Sequence, residues 1–340
     1  RRRPLVMDDV DAQAASVGQG EGERRGTRPG RHHGVGHAGP LPLVDERGAE
    51  GGGGGHGHPA NHTAAGPRHP GVVTLASRTI GSGPRLVLLH GFTQNSGCWG
   101  PFADRMADHH EVVLVDAPGH GASRHDDADL AEAARLSVEV GGDAVYLGYS
   151  MGGRVALHAA LQAPERVRGL VLIGATAGID DPADRATRRR TDEALAAELT
   201  PPPHHPNSGG FRPPPEPDPP KFGGRAGLEA FLDRWLAQPL FATLPSDRQY
   251  RGARLRNRPE GLASSLRSCG AGTQQPLWDA VAGLRQPTLA VAGAEDHKFT
   301  ALAERLAAAI GPSARTAIIP DAAHSAHLER PDETADAVLA

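Results

Sequence analysis

Six short apolar runs, separated by helix-like segments, constrain the fold more than any other feature of the chain. They are 85–89, 111–115, 144–149, 169–173, 287–292 and 315–319. Each is continuous rather than alternating, the pattern of a strand buried on both faces. Segments such as 152–162 and 302–310 carry helical patterning between them. Strands alternating with helices predict an α/β fold, with a mostly parallel central sheet flanked by helices. In such a sheet the reactive groups gather at the carboxyl ends of the strands.

The rest of the chain divides by composition. Residues 1–71 are rich in Gly, Arg, His and Pro, include the run Gly51 to Gly55, and hold few large apolar residues. Such a segment cannot bury enough surface to offset its ordering entropy, so a disordered tail is expected. Residues 72–175 form the first part of the core and 286–340 the second. Between them, 176–285 is charged, Arg-rich and without a buried strand, which predicts an inserted helical cap. Within the cap, 201–224 is Pro- and Gly-rich and reads as a loop.

The net charge of −4 gives no general attraction to nucleic acid. No stretch approaches the roughly 20 apolar residues of a membrane span. The two cysteines, Cys98 and Cys269, are too few for a disulfide framework or a zinc site, which favours a reducing, cytoplasmic setting. Arg1-Arg2-Arg3 has no apolar stretch behind it and does not read as a signal peptide. The chain begins without Met, as expected of a fragment or a mis-assigned start.

The third run leads into Gly148-Tyr149-Ser150-Met151-Gly152, a G-x-S-x-G turn between strand and helix. Small neighbours are needed there because the serine sits in a strained conformation that lifts its hydroxyl clear of the sheet. A serine hydroxyl needs a histidine to take its proton and a carboxylate to orient that histidine. In the α/β-hydrolase arrangement the acid and then the histidine follow the serine along the chain. Asp296 follows the fifth run and His324 the sixth, which makes them the expected acid and base for Ser150. Glu295 is a rival acid, because the turn geometry is open at this stage. Backbone N–H groups of Met151 and, in the loop after the first run, of Phe92 are the expected oxyanion donors. His327 stands three residues after His324, but no third ligand at metal spacing accompanies the pair, so packing near the site mouth is expected and no metal.

From residue 72 onward the chain resembles the α/β-hydrolase superfamily, and Asp116-Ala117-Pro118-Gly119-His120-Gly121-Ala122-Ser123 is similar to its structural D-x-P-G-x-G-x-S loop. A narrower resemblance is to the menaquinone-pathway synthases that make 2-succinyl-6-hydroxy-2,4-cyclohexadiene-1-carboxylate (SHCHC). It rests on 148–154, 235–241, 255–257, 272–278, 296–299 and 323–331. It implies a cofactor-free lyase acting on a small polycarboxylate, in which Ser150 activated by His324 removes a ring proton and pyruvate leaves. It also implies that Arg154, Arg188 and Arg256 bind carboxylates, with Tyr149 and Trp235 lining the pocket. Arginine suits that task through its bidentate planar fork. Arg188 lies in an Arg-rich run where Arg185 competes for the role, and Arg256 is flanked by Arg251, Arg254 and Arg258, so a solvated face is the alternative for both. The competing functions are an ester or carbon–carbon bond hydrolase of the same fold and a ligand-binding protein on that scaffold.

Overall fold

The computed structural model describes residues 74–123, 128–200 and 224–340. The expected tail, 1–71, and nearly all of the expected loop, 201–224, lie outside the described residues. Seven strands form one sheet: β1 (Ser77–Ile80), β2 (Arg85–Leu89), β3 (Glu111–Val115), β4 (Ala144–Tyr149), β5 (Val167–Ile173), β6 (Thr288–Gly293) and β7 (Ala314–Ile319). Their order is β1-β3-β2-β4-β5-β6-β7. All neighbours pair in parallel except β1, which runs antiparallel to β3 with Ser77 opposite Val115.

The helices are α1 (Gly100–Ala107), α2 (Leu130–Gly141), α3 (Met151–Gln162), α4 (Pro182–Leu199), α5 (Gly224–Leu236), α6 (Arg251–Arg254), α7 (Pro259–Cys269), α8 (Trp278–Val281), α9 (His297–Ile310), α10 (Ala326–Glu329) and α11 (Pro331–Leu339). Alternate strand residues feed opposite faces. Val87, Leu89, Val113 and Val115 pack with α2 and α3, while Leu86, Leu88, Val112 and Leu114 pack with α1 and residues of α10 and α11. That two-sided cover is why β2 and β3 read as unbroken apolar runs. The cap helices α4 to α8 come between β5 and β6 and have their own apolar cluster around Leu228, Phe231, Leu232, Trp235, Leu262 and Leu266.

Two expectations need correction. β1 carries no apolar run, because it is a short edge strand whose residues are largely exposed. The sixth run, β7, is not buried on both faces: it is the opposite edge, and Arg315, Thr316 and Ile318 are exposed.

The sheet order reverses between β2 and β4. The chain lays β3 on one side of β2 and then returns to place β4 on the other. The carboxyl ends of strands flanking such a switch point open a crevice. The loop after β2 brings Phe92 to it, and the turn after β4 brings Ser150. Asp116 braces the first loop from below: its carboxylate accepts from Ser96 N (2.7 Å) and Ala122 N (2.8 Å). Ser123 donates to Asp116 O (2.7 Å) and accepts from Ala76 N (2.8 Å), tying the loop after β3 to the chain just before β1. Among the described residues no helix is long and apolar enough to cross a membrane.

Candidate active site

Ser150 sits between the last residue of β4 and the first of α3 with φ 51° and ψ −109°, a left-handed conformation that costs a side-chain-bearing residue about 1 to 3 kcal/mol. The flanking pairing holds it there: Ser150 N donates to Ile173 O (2.8 Å), while Gly153 N and Arg154 N donate to Ser150 O at 3.1 and 3.2 Å. The motif glycines are required by space. A Cβ on Gly152 would collide with the carbonyls of Leu89 and His90, and one on Gly148 would collide with the backbone of Gly152 and Gly153. We expect Gly152→Ala to destabilise the fold by about 3 kcal/mol or more, because backbone on both sides would have to part. Thermal unfolding reads this out, and a wild-type melting temperature would refute the packing argument.

His324 Nε2 lies 3.2 Å from Ser150 Oγ, and its Nδ1 lies 3.0 Å from Asp296 Oδ2. Asp296 is also the N-cap of α9, where its Oδ1 accepts from Phe299 N (3.1 Å). Both carboxylate oxygens are thus fixed, and the rival Glu295 is exposed beside it. Burial opposes the Asp296 charge, but the hydrogen bond and charge of His324, the Phe299 N–H and Lys298 together hold its pKa below the ordinary value. The imidazole is buried, with the Phe299 ring centroid 4.4 Å away and that of Tyr149 5.4 Å away. Gly174, at φ 55°, makes room for it, since a Cβ there would come within 3.0 Å of His324 Cε1.

Above the serine lies a cavity. Besides Ser150 and His324, its walls include six of the expected binding or oxyanion residues: Phe92, Met151, Tyr149, Arg154, Arg188 and Trp235. Phe92, Trp235, Leu240 and Phe241 make one side apolar. Arg154 and Arg188 make another side cationic, and they differ in a way that matters. Arg188 Nε donates to the buried Asp192 at 2.9 Å. Arg154 is also buried, but it has no carboxylate within ion-pair distance among the described residues; its Nη1 reaches the neutral Gln274 Oε1 at 3.3 Å. Burial pushes its pKa down to about 10, still far above neutrality.

Arg256 does not join them. It is exposed, lies outside the cavity and directs Nη2 toward Asn95 Oδ1 at 3.5 Å. The buried arginine of that stretch is Arg254, which donates to Thr93 Oγ1 and, at 2.8 Å, to Gln249 O. The short helix α6 turns Arg254 inward, and two residues later Arg256 faces out. His327 is likewise not at the site mouth. It is fully buried behind Tyr149, with ring centroids of Tyr149 at 4.5 Å and Trp99 at 4.9 Å, and neither ring nitrogen has a hydrogen-bond partner among the described residues. Among the described residues no group of His, Cys, Asp or Glu could hold a metal ion. The cavity residues that motif reading missed include Asp192, Ser265 and Cys269; Asp192, at i+4 from Arg188, had a helical spacing that pointed to it.

Residues 86–337 match the model of the alpha/beta hydrolase family. The chain belongs to the alpha/beta hydrolase family. Among relatives in this family, it is 34% identical over 263 residues to a Bacillus subtilis (strain 168) protein named "Putative 2-succinyl-6-hydroxy-2,4-cyclohexadiene-1-carboxylate synthase", across 72% of this chain and 85% of that one. It is 33% identical over 268 residues to the pimeloyl-[acyl-carrier protein] methyl ester esterase of Xanthomonas axonopodis pv. citri (strain 306), across 76% of this chain and 95% of the relative. Among solved structures, MenH from S. aureus superposes with a TM-score of 0.65 at 28% identity, covering 79% of this chain and 97% of that one. These likenesses mark the chain as an alpha/beta hydrolase family enzyme with kin of more than one chemistry.

Proposed function

We propose that this enzyme is a lyase that eliminates pyruvate from 2-succinyl-5-enolpyruvyl-6-hydroxy-3-cyclohexene-1-carboxylate to give SHCHC in menaquinone biosynthesis. In this reading His324 Nε2 takes the Ser150 proton, and Ser150 Oγ removes the ring proton next to the succinyl carbonyl. Asp296 holds the imidazole in the tautomer that carries its proton on Nδ1 and stabilises the imidazolium that forms. Charge builds on the carbonyl oxygen, where the N–H groups of Phe92 and Met151 are the proposed donors. The electrons pass through the ring double bond and expel enolpyruvate, which takes up the proton held by His324 and ketonises to pyruvate, so the base is regenerated and no acyl-enzyme forms.

The observation that carries the reading is Arg154. A buried guanidinium with no carboxylate within ion-pair distance among the described residues, in the wall beside Ser150, fits a carboxylate brought by the substrate. Tyr149 and Trp235 would shape the pocket, and Arg188, already paired with Asp192, would take a secondary part. The second reading, an ester hydrolase, is favoured by the apolar side of the cavity and by the esterase relatives. It would use the same three residues through an acyl-enzyme.

Arg154→Met separates them. It should lower kcat/KM for the enolpyruvyl substrate roughly 100-fold, the worth of one charge-assisted contact to a carboxylate, mostly through KM. The melting temperature should rise, because a buried cation with no direct ion pair among the described residues is removed. Arg256→Ala should stay within about twofold of wild type, as expected for an exposed side chain. Steady-state kinetics of both variants decide this, and an Arg154→Met enzyme with wild-type kinetics would overturn the assignment.

A further inference from the structure

Glu329 is a buried carboxylate that the chemistry above does not use. It stands at the end of α10, five residues after His324, yet its carboxylate turns back to the histidine loop. Oε2 accepts from Ala323 N at 2.8 Å and Oε1 accepts from Ser325 N at 2.9 Å. The two peptide N–H groups on either side of His324 are therefore bound by one side chain. Oε2 also accepts from Thr243 Oγ1 at 2.6 Å, and Thr243 belongs to the cap. Arg248, a second cap residue, donates through Nη1 to the carbonyls of Leu328 and Glu329, both at 3.1 Å. No basic side chain among the described residues forms an ion pair with the Glu329 carboxylate; three N–H and O–H donors satisfy its charge. Ser325, whose N–H it holds, in turn meets the Tyr149 hydroxyl at 2.7 Å, next to the nucleophile.

An anion placed this way does two jobs that a neutral side chain cannot. It accepts from two N–H groups that point the same way, and it leaves no donor of its own to repel them. We propose that Glu329 is a positioning residue, which locks the His324 loop in its reactive geometry and reports the seating of the cap to that loop through Thr243. The inference rests on the Ser150–His324–Asp296 reading. Glu329→Gln is nearly isosteric but must aim an NH2 group at the N–H of either Ala323 or Ser325, so one of the two anchors is lost. Thr243→Val keeps the shape and removes only the link from the cap.

The test uses the full chain and two readouts that do not need the natural substrate. The first is the second-order rate at which an alkyl fluorophosphonate labels Ser150, where Oγ displaces fluoride from phosphorus and His324 takes the hydroxyl proton. The second is the downfield proton resonance of the His324 Nδ1–H bound to Asp296. At equal folded fraction, Glu329→Gln should label at least roughly tenfold more slowly and lose or broaden the resonance, as expected when a reacting group drifts by a fraction of an ångström. Thr243→Val should label roughly threefold more slowly, a smaller share of the same effect. Wild-type rates with an unchanged resonance in both variants would overturn the proposal. If Glu329→Gln does not fold, a wild-type rate and resonance in Thr243→Val overturns it alone. Wild-type protein that resists the probe counts against Ser150 as nucleophile, and the resonance in the variants then decides the role of Glu329 separately.

Discussion

If the proposed elimination is the reaction, Ser150→Ala should lower kcat for pyruvate release by roughly 10³- to 10⁴-fold, the scale of losing the group that carries the proton. KM changes little, because the cavity walls that hold the substrate are untouched. His324→Ala has an effect of the same size and the double variant is no worse, since the two act as one unit at 3.2 Å. The fold survives: Ser150 contributes no side-chain cap to α3. Ser150→Gly should be more stable than wild type by about 1 kcal/mol, because glycine relieves the left-handed backbone at φ 51°. A variant that is both inactive and more stable is the mark of a strained nucleophile turn. Activity retained in Ser150→Ala would show that the reaction does not pass through Oγ.

The second large effect is acid lability. His120 and His327 are fully buried, and burial pushes both imidazoles down to about 3, so they are neutral in the folded protein. His90, also buried, is lowered too; its Nε2 accepts from Ala117 N at 3.0 Å, which requires the neutral ring. In the unfolded chain these groups titrate near 6.5. Between about pH 6.5 and 3 the unfolded chain binds protons that the native one refuses. The stabilising contribution is therefore complete above about pH 6.5 and is lost as pH falls toward 3. At pH 5 the cost is about 2 kcal/mol for each of His120 and His327 relative to pH 7, a large fraction of the usual stability of a domain. His327→Phe should remove one of these shares. The ring packs against Tyr149, Trp99 and Phe102, and neither nitrogen has a partner among the described residues to lose. Urea unfolding at pH 7 and 5 should show the loss shrinking by about 2 kcal/mol in the variant. An unchanged pH dependence would mean that His327 is protonated in the fold or does not titrate in this range.

The sheet was legible from its unbroken apolar runs, and the proposed trio stands at or shortly after the ends of three of them. Ser150 follows β4, Asp296 lies three residues past β6 and His324 lies five past β7. Choosing Asp296 over Glu295 needed coordinates, since the choice turns on which carboxylate caps α9 and meets the imidazole. Edges were less legible. Ser77–Ile80 pairs with β3 through backbone alone, so its side chains carry no pattern, and the apolar run of β7 did not say that one of its sides lacks a neighbouring strand. The arginines show the same limit at finer grain. Arg154 is fixed by its place one turn into α3, whereas in the Arg-rich stretch 251–258 burial depends on the phase of a single-turn helix, which buries Arg254 and exposes Arg256. Glu329 lay inside the resembling stretch 323–331 but had no role read for it; its meaning comes from the turn of α10 that carries it back beneath the histidine loop.

Elimination and ester cleavage are the two reactions this cavity could carry, and one assay tells them apart. Pyruvate should be followed from enzymatically generated 2-succinyl-5-enolpyruvyl-6-hydroxy-3-cyclohexene-1-carboxylate, beside methanol release from a pimeloyl methyl ester, with the same wild-type preparation. The elimination reading expects pyruvate release far above the spontaneous rate, with kcat/KM at least roughly 100-fold above that for the ester, the worth of the Arg154 contact. Methanol release with pyruvate at the spontaneous rate would contradict it and make the protein an esterase built on the same three residues.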